Sequence, residues 1–327
     1  MYQSIFKSKA FILKVFGIAL SLTLYLSSLH AQQTQTTLDN TQSSLAQSET
    51  QKRLEIEQHR KQANEEGQKK LIPEAIAVIE ATKRAIAFAK NGQDEKALSE
   101  IEQATGKIDI LLARHPKDAL LPIDVSVNVI DTAPQNNDAI KEIGRIAETA
   151  VKNKNYPDAR LLLNALRSEI NMTFYSLPLV IYPAALKDAA YLLDQKKTAE
   201  SVRVLETALR TLVVINQVIP IPILNTIALL SIAETQENLG KNKDKDAVLK
   251  LIDLAKDEIE RAKELGYKGR DEEYTVLNDA IKNIKEKVES NQNSTSAFGS
   301  LKDKLRAFVK RLSGEEKKSQ TSVKIKN

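Results

Sequence analysis

From Pro73 to Glu289 the apolar residues recur mostly at intervals of three and four, the spacing of an amphipathic helix, and short polar turns interrupt them. Ile76, Ile79, Ala87 and Phe88 share one such face. Pro73 opens that helix, at a position where a missing N–H is not needed, and Asn91-Gly92 closes it, because both residues accept the left-handed cap conformation. Asp94 caps the next helix, whose face carries Ala97, Leu98, Ile101, Ile108, Leu111 and Leu112. Lys152 to Ala159, Asp194 to Glu200 and Gly240 to Ala247 read as further turns between antiparallel helices, and a last helix of this series spans Asp271 to Glu289. The hairpins resemble tetratricopeptide units, but their turns are unequally spaced, which excludes a fixed-period solenoid.

Two stretches change period from helical spacing to alternation. In Leu121 to Asp131, Ile123, Val125, Val127 and Val129 face one way, and Asp124, Ser126 and Asn128 the other. Branched residues at a period of two specify a strand. In Glu169 to Ser176, Ile170, Met172 and Phe174 alternate with Asn171, Thr173 and Tyr175, which supplies a partner strand. A two-stranded ribbon is marginal alone, so helices must cover its apolar face. A third segment, Val213 to Ile223, is extended by Pro220 and Pro222, which stop a helix. The predicted fold is mainly α: a compact bundle of antiparallel helical hairpins with a short two-stranded antiparallel β ribbon.

The ends of the chain are different. Lys7, Lys9 and Lys14 precede an apolar run from Val15 to Leu26 that is short for a membrane span. Leu29-His30-Ala31 then offers an export cleavage site after Ala31, which predicts an exported protein with residues 1–31 as its signal, the alternative being an uncleaved anchor because Leu29 is larger than the residue preferred there. Residues 32–70 read as a spacer, first rich in Gln, Thr and Ser; from Lys52 to Lys70 it is densely charged and reads either as a weak solvated helix or as an extension of the spacer. The helical domain is expected over 71–289, and a basic tail over 290–327 with an amphipathic helix at 297–312. The chain has no Cys, so an exported form depends on its core without disulfides. Its formal net charge of +5 is misleading, because the positive charge is concentrated at the two ends and the body is mildly acidic. That disfavours nucleic-acid binding by the body.

Three blocks carry a resemblance to a known family: Leu121-Pro-Ile-Asp-Val-Ser-Val-Asn-Val-Ile-Asp131, Tyr175-Ser-Leu-Pro-Leu-Val-Ile-Tyr-Pro-Ala-Ala-Leu-Lys187 and Thr211-Leu-Val-Val-Ile-Asn-Gln-Val-Ile-Pro-Ile-Pro222. In the order and spacing of these blocks the chain resembles the YfdX family of exported bacterial proteins over roughly residues 75–265. The resemblance implies a mostly helical periplasmic protein, homo-oligomeric, linked to acid and drug tolerance. It brings no catalytic residues with it. The Gln/Thr spacer and the basic tail depart from the family pattern, so no role of the tail is inherited.

The chemical inventory is poor in reactive groups. Outside the leader only His59 and His115 remain, with no paired spacing and no Cys, so neither a metal site nor a cofactor is expected. There is no Gly-x-Ser-x-Gly elbow and no Gly-rich phosphate loop, so no enzyme activity is expected. Asp124 with Asp131 is the one carboxylate pair that acid–base chemistry could use. Asp124, Asn128, Asp131, Tyr175 and Tyr182 form a candidate groove for a ligand or peptide, the alternative being a solvated strand face. In the tail, Phe298, Leu301, Leu305, Phe308, Val309 and Leu312 make a helical stripe, with Lys302, Lys304, Arg306, Lys310 and Arg311 around it. Such a helix suits an anionic membrane surface or an acidic partner, and equally docking on the protein's own core. The function expected is non-enzymatic: a periplasmic stress-related, chaperone-like protein with protein or peptide clients, or else a membrane-associated helical scaffold for an envelope complex.

Overall fold

The computed structural model describes residues 46–240, 243–267 and 271–312. They form eleven α-helices and one three-stranded antiparallel sheet. Helix α1 spans residues 46–69. Hairpin α2 (Pro73–Lys90) and α3 (Asp94–Arg114) leads to strand β1 (Leu120–Asp131). Hairpin α4 (Asn137–Lys152) and α5 (Tyr156–Asn164) leads to β2 (Ser168–Pro178). Hairpin α6 (Tyr182–Asp194) and α7 (Thr198–Arg210) leads to β3 (Val213–Pro220). Four helices follow: α8 (Ile221–Glu237), α9 (Lys245–Glu264), α10 (Asp271–Glu289) and α11 (Thr295–Leu312). The export signal at 1–31, the first part of the spacer and the chain after residue 312 lie outside the described residues.

The three hairpins close in the same way. Gly92, Lys154 and Lys196 take φ of 69°, 57° and 60° just after a helix. The next N–H then reaches back to a carbonyl five residues earlier: Gln93 to Phe88 at 2.9 Å, Asn155 to Ala150 at 2.8 Å and Lys197 to Leu192 at 2.9 Å. This bond satisfies a helix-end carbonyl and reverses the chain. Asn136 starts α4 by accepting from the N–H groups of Asp138 and Ala139 with its side chain.

β1 and β2 pair antiparallel, from Leu120 opposite Pro178 to Asp131 opposite Ser168, as the alternation predicts. The ribbon has a third strand that the alternation did not specify: β3 pairs along the other edge of β2, from Ser176 opposite Val213 to Glu169 opposite Pro220. It supplies partners to the backbone of β2, which would otherwise carry open N–H and C=O groups next to a core. A bulge between Pro122 and Asp124 shifts the register of β1. Pro122 sits on an edge strand, where the ladder tolerates a missing N–H.

The bulge also marks where the sheet passes from one core to the other. Leu121, Ile123 and Leu177 pack with α2, α3, α6 and α7, around Ile101, Ile108, Leu186 and Leu205. Val125, Ile170, Met172, Phe174 and Ile219 pack with α8 to α11. From Ile221 to Leu230 every residue of α8 is buried, as expected of a helix apolar on all sides. The central strand therefore belongs to both cores and joins them.

Residues 46–69 are a continuous helix, the helical alternative for Lys52 to Lys70, but it starts earlier and is packed on the sheet instead of solvated all round. Ala63 and Gly67 are buried beneath it. A Cβ on Gly67 would lie 3.0 Å from Val125 Cγ2, so its bare Cα permits the close approach of α1 to the sheet. Local polarity pointed to solvent; a few small residues aligned on one face are enough to seat the helix.

Candidate functional site

The structure divides the five residues expected to form a groove. Asp124 lies opposite Tyr175, and Asn128 opposite Asn171, on the sheet face that carries Ser126, Thr173 and Asn216. Thr173 Oγ1 lies 3.0 Å from Asn171 Oδ1 and 2.9 Å from Asn216 Oδ1, so one hydroxyl links two strands on this face. Asp124, Asn128 and Tyr175 are exposed there. This is a polar strand face with a hydrogen-bond ladder, the solvated alternative, and not a walled groove.

Asp131 is seven positions from Asp124 along a regular strand, which puts it on the opposite face. The two carboxylates cannot work on one substrate as an acid–base pair. Tyr182 is fully buried at the start of α6 and donates its hydroxyl to Thr82 Oγ1 at 3.0 Å. Burial pushes its phenol up to about 12, the Thr82 bond offsetting this in part. Its nearness in sequence suggested a groove shared with Tyr175, but α6 begins at Tyr182, with Pro183 in its first turn, and the ring lies in the core.

Asp131 joins a cluster that periodicity could not reveal. Arg261 of α9 is 2% exposed. Its guanidinium donates to the carbonyl of Ala133 at 3.1 Å and of Pro134 at 3.0 Å, and pairs with Glu258 at 3.3 Å and Asp131 at 3.4 Å. Asp131 also accepts from Ser168 Oγ at 2.7 Å, and Glu258 accepts from Asn225 Nδ2 at 3.0 Å. Burial raises the pKa of Glu258, opposed by the charge of Arg261. A planar five-donor group fits this mixture of carbonyls and carboxylates. The cluster fastens α9 to the β1–α4 junction and leaves Arg261 no reach toward solvent, so it is a clasp and not a reactive centre.

The tail helix also resolves against its exposed reading. Phe298, Leu301 and Leu305 are completely buried, and Phe308 and Val309 nearly so, all within the core that contains α8 to α10. Phe308 meets Tyr274 edge to face with centroids 5.4 Å apart. Lys302 pairs with Glu234 of α8, and Arg311 with Glu273 of α10 at 2.6 Å. Arg306 pairs with Asp303 on its own helix at 3.1 Å, and Lys310 is exposed. The stripe proposed for membrane contact is thus an internal packing surface. Among the described residues no helix is long and apolar enough to cross a membrane.

Two hairpins present apolar surface outward. α4 and α5 bury little beyond Ile140, Ala147 and Ala159. Ile146, Val151, Tyr156, Leu161 and Leu163 are exposed, Leu161 to 70% and Tyr156 to 59%. The α6–α7 pair holds an open groove of about 520 Å³ floored by Ile181, Ala185, Leu192 and Val204, with Asp188 and Arg203 beside it. Among the described residues no three His, Asp or Glu side chains are grouped to hold a metal. These surfaces offer apolar area, which suits binding.

Comparison with known proteins points to one family. Residues 78–218, from within α2 to within β3, match the family described as YfdX protein. Among solved structures, a crystal structure of Salmonella Typhi YfdX aligns with 15% identity and a TM-score of 0.32, covering 46% of this chain and 93% of that one. No curated protein matches the chain. The matched segment contains β1, β2 and most of β3, with the hairpins from within α2 to α7, while α1 and α8 to α11 lie outside it. It is over residues 78–218 that the chain is similar to the YfdX family.

Proposed function

We propose that the protein is a non-catalytic, chaperone-like protein of the bacterial envelope that shelters apolar segments of other polypeptides during stress. One observation carries this reading: the short α4–α5 hairpin leaves five large apolar side chains, Ile146, Val151, Tyr156, Leu161 and Leu163, in solvent, while α4 and α5 bury only Ile140, Ala147 and Ala159. Contiguous exposed apolar surface marks interaction sites in folded proteins. The leader, with Lys7, Lys9, Lys14 and the run to Leu26, supports the envelope as the compartment.

The test is suppression of aggregation. An unrelated client is diluted from denaturant, with and without an equimolar amount of the purified protein, and light scattering is followed. The protein should lower scattering, and the double variant Tyr156→Ser, Leu161→Ser should lose most of this effect while keeping its helical circular dichroism. Equal protection by the variant, or none by the parent protein, refutes the reading.

A further inference from the structure

A cavity of about 540 Å³ lies between α1, the sheet, α8 and α11, away from the α4–α5 hairpin. Its volume is that of a small-molecule site. Its walls differ in chemistry. Met172, Ile219, Ile227 and Val309 supply an apolar floor. Across from them α1 contributes the amides of Gln58 and Gln62. Lys70, Arg306 and Lys310 also line it.

Two features indicate what would fill it. The Oε1 atom of Gln217, on the same wall, is buried and has no hydrogen-bond partner among the described residues. A buried acceptor left in this way costs free energy that a donor would recover. Lys70 and Arg306 are under-compensated. Lys70 forms no ion pair among the described residues and lies 5.4 Å from the Phe174 ring centroid, and the one carboxylate paired with Arg306, Asp303, is largely exposed. Of the two lining carboxylates, Glu55 already faces His59 at 3.3 Å, and Glu66 accepts from Gln62 at 3.0 Å.

We infer that this cavity is a binding site for a monoanionic amphiphile with a rigid apolar body and hydroxyl donors, the chemistry of a bile salt. The apolar face would lie on Met172, Ile219, Ile227 and Val309. A hydroxyl would donate to Gln217 Oε1, and the acid group would meet Lys70 and Arg306. The inference is independent of the holding role, which rests on other residues. It also assigns a use to α1 and α11, which lie outside the segment matched to the family.

Calorimetric titration of the full chain with sodium cholate below its micellar concentration tests this, with octyl glucoside as an uncharged hydroxylated amphiphile. One saturable cholate site is expected, weaker at high salt and absent or much weaker for octyl glucoside. The double variant Lys70→Gln, Arg306→Gln, changed near the surface, should bind cholate at least about tenfold more weakly, the loss expected for charge-assisted hydrogen bonds. Met172→Trp, which fills the cavity, should abolish binding with the helical spectrum intact. The inference is overturned by no saturable cholate binding, by equal affinity for the neutral amphiphile, or by unchanged affinity in the charge variant.

Discussion

Truncating Phe298 to Ala tests whether α11 is a structural part of the molecule. The side chain is completely buried, with Leu301 and Leu305 on the same stripe and α8 to α10 around it. A buried Phe→Ala change costs about 3–5 kcal/mol, because lost transfer energy adds to the cavity left behind. Domains of ordinary stability hold only about 5–15 kcal/mol, so this is a large share. With a urea slope of about 1–3 kcal/mol/M, the unfolding midpoint should fall by roughly 1 M or more. Circular dichroism at 222 nm is the assay, since nearly all elements that would unravel are helices. Lys304→Ala, on the exposed side of the same helix, should change stability by less than about 0.5 kcal/mol. The same reasoning says that anionic vesicles should not take up the folded protein through this stripe. If Phe298→Ala were as stable as the parent and the parent bound such vesicles through residues 295–312, the docking of α11 would be refuted.

Two further predictions concern the clasp on α9. Arg261→Ala should cost about 3–5 kcal/mol in denaturant unfolding, since it strands the buried Glu258 carboxylate and the Ala133 and Pro134 carbonyls; a loss below about 1 kcal/mol would show that the cluster is not holding the junction. Glu258 has a folded pKa raised above its ordinary value of 4.5, so the native state binds that proton more tightly than the unfolded state. Its contribution to stability is therefore fully present below 4.5 and is lost as pH rises through the folded value. Relative to Glu258→Gln, the parent protein should gain stability as pH is lowered toward 4.5, and parallel stability–pH curves for the two would contradict the assignment.

Much of the fold was legible because it is local. The hairpin turns announce themselves as polar breaks in a helical period, and β1 and β2 as alternation of branched and polar residues. Asn91-Gly92 can be read directly as a helix end, whereas Lys154 and Lys196 adopt the same left-handed conformation without a glycine to signal it. Of the site residues, Asp124, Asn128 and Tyr175 share a face because alternation on paired strands requires it. Asp131 and Tyr182 do not join them. One sits at the opposite parity, and the other follows the strand into a helix.

Period, composition and turn chemistry were enough to establish a mainly helical chain of hairpins with strands inserted between them, since each depends on residues only a few positions apart. Which surface each amphipathic face meets was decided only in three dimensions. The stripe from Phe298 to Val309 has one and the same pattern whether it meets lipid, a partner or α8 to α10, and only the assembled core shows the last to be true. The ion pair of Asp131 with Arg261 spans 130 positions, and β3 finds β2 across a whole hairpin. Burial and pairing at such distances depend on how the entire chain packs, and a local pattern carries no record of its distant neighbour.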